Sequence, residues 1–335
     1  MKQTIDKGML SRPYEILHVR ILAIAIVLTL LLLTVVQGEH FLTATNFQSM
    51  AFQSVELGIL SLAMCIAIVL AGIDLSIIAI ANLAAIAVAT YLKSAEVEVL
   101  SIAHLLVCVG IACAVGVICG ALNGYLIGYL GVPAILATLA TMTLYGGLAI
   151  GYTGGAAISG MPQGFDVIGN GQWFGVPIPM LIFLVILALL WRMFETTVFG
   201  THLYCVGANP KASQYSGIPV AKVLLKAHTL IGVLAAIAGL IILSRTNSAN
   251  PVYGSSYILS TILIVALGGV SVLGGKGKIL GVAMAIVLLQ LFSTGLNMLL
   301  YKTSGSNFLK DVIWGVLLLA IIVMMHYLLN RGNRT

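Results

Sequence analysis

Charge is what this sequence has least of. Asp, Glu, Lys and Arg make up 8% of its 335 residues, against about a quarter in an ordinary soluble domain. With 60% of the chain hydrophobic, one aqueous core could not hide the apolar surface, and lipid is the solvent that resolves the mismatch. Cysteine is sparse and unpaired in sequence. Cys65, Cys108, Cys113, Cys119 and Cys205 form no CxxC pair, and four of them fall in apolar stretches. They read as free thiols packed as small hydrophobes, with no metal site. With Met1–Arg20 polar and no small-residue cleavage site after the first apolar run, no cleavable leader is expected. Catalytic constellations are missing too: no Ser-His-Asp set or carboxylate pair recurs at one depth. The six histidines are scattered, and His104 and His228 read as locally satisfied near helix ends.

What the chain has in abundance is long apolar runs. A span needs about 20 apolar residues, and ten segments qualify: 20–37, 47–71, 75–92, 100–127, 133–152, 176–194, 221–243, 257–273, 279–300 and 309–329. The expected fold is an all-α integral membrane protein of about ten transmembrane helices. It forms a single transmembrane domain over 1–335, with a short N-terminal segment at 1–19 and a polar, basic loop at 195–220. With the N-terminus inside, the Lys and Arg residues divide twelve inside to four outside. The positive-inside rule then places both termini in the cytoplasm. The basic residues are spread over short loops and form no stripe, so nucleic acid is not an expected partner. The two halves have similar layouts, each with a Gly-rich inner turn, Ala71–Asp74 and Gly274–Gly277. That layout suggests an internal repeat.

Polar groups at membrane depth mark the expected substrate pathway, because their exposure to lipid is costly. Glu56 is the clearest, inside the second segment beside Gln53. Asn82, Asn123, Gln290 and Asn297 join it, and a carboxylate among amides suits a hydroxyl-rich solute. Glu56 has no evident basic partner in the sequence. Asp74, just before the third helix, is expected to cap that helix, with a gate contact as the other reading. Gly116, Gly120, Gly124 and Gly128 lie four apart, on one helix face built for close packing. Gly274–Gly277 resembles a phosphate loop only superficially, since no Ser or Thr follows Lys276. In the basic loop Asn209 is an expected N-cap, Pro210 the first helical residue and Gly217 the stop. A short surface helix there suits docking of a moving partner.

Four stretches, in order over about 45–325, carry a family resemblance. They are Gly72–Ser76, Val132–Leu139, Gly207–Asn209 with Ser216–Ile218, and Leu267–Ser271 followed by Gly274–Gly277. In them the chain resembles permease subunits of monosaccharide ABC importers, of the ribose, xylose and galactose type, within the wider family shared with branched-chain amino acid permeases. The resemblance implies translocation of a sugar or sugar-like solute, with no enzymatic activity and no cofactor in this chain. ATP and Mg would sit in a partner ATPase. It implies a second permease subunit, in a homo- or heterodimer, cytoplasmic ATPase subunits and a periplasmic solute-binding protein. It also makes Gly207, Asn209, Pro210, Lys211, Ser216 and Gly217 the coupling region that inserts into the ATPase. Where the family usually carries acidic residues before the Gly-Gly turn, this chain has Ile258 and Ser260. The alternative reading is an ion-coupled secondary transporter or channel for a small polar solute.

Overall fold

A computed structural model describes residues 12–300 and six single positions between 309 and 319. Within residues 12–300 twelve α-helices follow one another: α1 (Arg12–Gln37), α2 (Ala44–Val69), α3 (Ile77–Ser94), α4 (Ile102–Gly128), α5 (Ala134–Thr153), α6 (Val167–Asn170), α7 (Ile178–Thr196), α8 (Val198–Ala208), α9 (Pro210–Tyr215), α10 (Val220–Thr246), α11 (Tyr257–Leu267) and α12 (Ile279–Leu299). Eight of them are long and apolar enough to cross a membrane: α1 to α5, α7, α10 and α12. The segment expected at 309–329 lies almost wholly outside the described residues.

The eighth expected span, 257–273, is corrected: α11 stops at Leu267 and covers 11 residues. At 1.5 Å per residue that is roughly 16 Å, about half the hydrocarbon thickness. Gly269 turns the chain with φ +80°, and His18 Nε2 bonds the Leu267 carbonyl at 2.9 Å. Ahead of α11, residues 251–256 form turns rather than helix. Asn82 Nδ2, a little more than one turn into α3, donates to the carbonyls of Pro251 and Tyr253 at 3.1 and 3.0 Å. The stretch leading to α11 therefore folds back into the bundle. Non-helical backbone at that depth is stable only where protein or a cavity satisfies it.

Helices α2 and α10 form the centre: 83% and 78% of their apolar windows are buried, against 17% for α1. The outer faces of α1, α4, α5 and α7 carry exposed Leu, Ile and Val, as lipid-facing helices should. Helix α4 runs antiparallel along α10 through its glycine stripe. A Cβ at Gly120 would strike the His228 carbonyl, and one at Gly124 would strike the Leu225 backbone. Across the seam, a Cβ on Gly232 would meet the carbonyl of Gly116. Backbone contact replaces the missing hydrophobic drive between helices in lipid.

The bundle has two ends. One carries α9, the start of α10 and the Gly274–Gly277 turn. The other carries α6 and two short ribbons, in which Ile158–Ser159 pairs with Ser248–Ala249 and Gln172–Trp173 with Val176–Pro177.

Candidate functional site: a polar cavity joined to a coupling surface

Between α2, α11 and α12 lies a cavity of about 240 Å³, lined by Gln53, Ser54, Leu57, Arg245, Ser256, Tyr257, Ser260, Ile286, Leu289, Gln290 and Ser293. The half-length of α11 produces it. Because the helix begins inside the bundle, its N-cap Ser256 and, in its first turn, Ser260 stand at a depth where a full span would present apolar residues. Of the six residues expected to line a pathway, Gln53 and Gln290 are brought together here, with Gln290 Nε2 donating to Gln53 Oε1 at 3.4 Å.

Glu56 lies behind this cavity. Its carboxylate is 1% exposed and accepts from Arg245 Nη1 at 2.9 Å. The hydroxyls of Tyr253 and Tyr257 approach its other oxygen at 3.3 and 3.5 Å. The expectation that Glu56 lacks a basic partner is thus corrected. The partner is 189 residues away in sequence, at the last turn of α10. Arg245 is the charged group that reaches the cavity.

The other amides go elsewhere. Asn82 holds the loop before α11. Asn123 is fully buried and donates to Ser76 Oγ at 2.7 Å, while Tyr145 donates to the Cys119 carbonyl at 3.0 Å beside it. Neither lines the cavity, and nor does Asn297, half-buried about two turns beyond Gln290 on α12. Asp74 belongs to the Asn123 cluster. Its Oδ1 accepts from the Ser76 N–H at 2.9 Å and from Ser76 Oγ at 2.6 Å, at the start of α3. Its Oδ2 meets His228 Nδ1 at 3.2 Å. His228 is therefore satisfied by a residue 154 positions away rather than locally, two turns into α10. This cluster ties α3, α4, α5 and α10 together where lipid or an apolar core would leave each polar group unpaired.

The loop at 195–220 is more ordered than its polarity suggests, because α8 fills its first half. Gly207, at the end of α8, presses on the end of α2, where a Cβ would collide with the Val69 carbonyl. The same carbonyl accepts from the Gly275 N–H at 2.8 Å, and Tyr204 donates to the Gly277 carbonyl at 2.7 Å. Ala71, Gly274 and Gly275 all take left-handed φ so that these three backbones can meet. The two glycine turns noted in the sequence thus converge on one junction. From it α9 projects. Asn209 Oδ1 accepts from the Ala212 N–H at 2.9 Å, Pro210 is the first helical residue, and Gly217 ends the turn at φ +82°. Asn209, Pro210, Lys211, Ser216 and Gly217 are exposed, whereas Gly207 is buried.

Comparison with known proteins decides the family. A profile described as "Branched-chain amino acid transport system / permease component" matches residues 46–322. The chain belongs to that permease family. It is 34% identical over 297 residues to the ribose import permease protein RbsC of Bacillus subtilis (strain 168), covering 88% of this chain and 89% of that one. It is 32% identical over 281 residues to the autoinducer 2 import system permease protein LsrD of Yersinia pseudotuberculosis serotype O:3 (strain YPIII), covering 82% and 81%. No solved structure matches the chain. It is a transport subunit rather than an enzyme, the multi-pass membrane component of an ABC importer. Permeases of this kind work with an ATPase and a solute-binding protein.

Within this permease, the polar lining residues that sequence reasoning passed over are Ser54, Arg245, Ser256, Tyr257 and Ser293, whereas Ser260 was noted only as a departure from the family pattern. Serine and tyrosine near helix ends carry no signal by themselves. The signal available in retrospect was the stretch Asn250–Ser256, which holds Pro251, Gly254 and two serines and so argues against a helix that begins at the membrane surface.

Proposed function

We propose that this permease carries a neutral, polyhydroxylated solute of monosaccharide size across the bacterial plasma membrane. One observation carries the reading. Beside the aliphatic Leu57, Ile286 and Leu289, the cavity's polar lining consists of hydroxyls, amides and one guanidinium, and that guanidinium is already compensated by Glu56. Serine and glutamine side chains both donate and accept, which matches sugar hydroxyls. A zwitterionic amino acid would need an anion for its ammonium group, and the lining residues offer none. The size also fits, being below the roughly 300–1,000 Å³ of drug-sized sites. The name of the Bacillus relative, a ribose import permease, points the same way.

The drive would come from outside this chain. Two permease subunits pair, and the α9 end faces the cytoplasm, where the excess of Lys and Arg belongs. ATPase subunits holding ATP and Mg grip α9 there, and the binding protein delivers solute to the α6 end. Both α2 and α12 lead from the glycine junction to the cavity, so displacement of α9 rocks the two walls of the solute site. The test is reconstitution of the permease with its ATPase and binding protein in liposomes. ATP hydrolysis is then read against D-ribose, other monosaccharides and L-leucine. Stimulation by monosaccharides and not by leucine is expected; stimulation by leucine alone would reverse the assignment.

A further inference from the structure

We propose that Arg245 selects the solute by donating to its hydroxyl oxygens, and that Glu56 is the positioning residue that aims Arg245 into the cavity. This inference rests on the reading of the solute as a polyol. It rests also on how the two charges divide between burial and exposure. Glu56 is 1% exposed and Arg245 27%, so the carboxylate stands behind the guanidinium and the solute meets Arg245 first. A guanidinium has five N–H donors. Among the described residues, the one side-chain partner it has is Glu56, through Nη1, which leaves donors for the solute. The carboxylate is taken on both oxygens, by Arg245 on one and by Tyr253 and Tyr257 on the other. It is therefore no acceptor for the solute, and its work is to hold the cation.

The backbone of Arg245 is fixed as firmly as its side chain. Asn170 Nδ2 donates to the Arg245 carbonyl at 3.2 Å, and the Gly169 N–H donates to Ser244 Oγ at 2.7 Å. A Cβ on Gly169 would collide with the Arg245 nitrogen, so α6 lies directly on the last turn of α10. A donor group held from both sides is preorganised, and preorganisation converts contacts into selectivity. Neutral polar groups such as Gln53, Ser260 and Gln290 can reorient to either a donor or an acceptor. Arg245 cannot accept, so it demands an oxygen. A deoxy analogue that lacks this oxygen leaves charged N–H groups unpaired inside the cavity, which is the stronger way to reject a ligand.

The experiment uses the permease reconstituted with its ATPase and binding protein. The binding protein is saturated with each solute in turn, so that differences in rate arise within the membrane. The probes are D-ribose, 2-deoxy-D-ribose and L-leucine. Wild type is expected to transport ribose roughly tenfold or more faster than the deoxy sugar, the scale of one charge-assisted hydrogen bond. Arg245→Gln removes the preference. Glu56→Gln, which leaves the cation present but unheld, lowers the ratio of ribose to deoxyribose transport without abolishing it. Arg245→Gln alone strands a buried carboxylate, so the charge-neutral double variant Glu56→Gln/Arg245→Gln is measured beside it. That variant is expected to be folded by size-exclusion chromatography and to be indifferent to the deoxy position. A ribose preference that survives in the double variant would overturn the role of Arg245 while leaving the polyol reading intact. Transport of leucine and of neither sugar by wild type would overturn both.

Discussion

Arg245 and Glu56, on different helices and 189 residues apart, meet at 2.9 Å with the carboxylate almost wholly withdrawn from solvent. The pair joins the last turn of α10 to the middle of α2, the two most deeply packed helices of the bundle. Its two halves are unequal in burial, and this inequality sets what each substitution does.

Removing Arg245 leaves an unpaired charge at a buried position, which typically costs 3–5 kcal/mol. Removing the charge of Glu56 leaves a cation that the cavity can still hydrate. Arg245→Ala is therefore expected to lower the thermal midpoint of the detergent-solubilised permease well below that of Glu56→Gln, with the double glutamine variant recovering much of the loss. The reverse ranking in a thermal melt would contradict the placement of the two groups.

The junction at Gly207 separates gripping from transmission. Gly207→Val cannot fit against the Val69 carbonyl, yet α9 itself stays exposed. The expected result is a permease that still co-purifies with its ATPase but transports at least tenfold more slowly per ATP hydrolysed. Bulky acidic residues at Pro210 and Ala212 should instead abolish co-purification. Identical outcomes for the two changes would contradict the division of labour between α8 and α9.

The glycine stripe of α4 was legible in the sequence, as were the eight long helices and the capping of α9, because each is written in local spacing or local chemistry. The short α11, the α6 clamp and the partners of the two buried carboxylates were not. His228 and Arg245 each sit in an ordinary apolar helix, and their partners Asp74 and Glu56 lie more than 150 residues earlier. No period or motif links such positions. Asn82 and Asn123 were legible as buried polar residues, but a buried amide satisfies backbone carbonyls and hydroxyls as readily as it faces a cavity. The neighbours that decide between the two come from other helices.

The stripe itself yields a graded test. Gly120→Ala meets the His228 carbonyl, whereas Gly146 and Gly147 on α5 have open space around them. Overpacking of a tight interface costs about 1–3 kcal/mol. Gly120→Ala should therefore lower the unfolding midpoint measurably, and Gly146→Ala should leave it unchanged or raise it slightly through better helix propensity.

Asn82→Ala removes the two bonds that draw Pro251 and Tyr253 into the bundle. Amide hydrogen exchange over 250–256 should rise by at least tenfold, with exchange in α3 itself little changed. Uniform protection across both regions would show that the loop is held by something other than Asn82.

The central claim is that the cavity between α2, α11 and α12 is the solute's passage and that events at α9 open and close it. In a background with the five native cysteines replaced by serine or alanine, Ser260→Cys supplies one reporter thiol in the cavity wall. Reconstituted with its ATPase, this thiol should react with a membrane-impermeant maleimide from the α6 side at rest, and accessibility should change sides or close when the ATPase is trapped with ATP and vanadate. A labelling rate from each side that is the same in both nucleotide states would contradict the account.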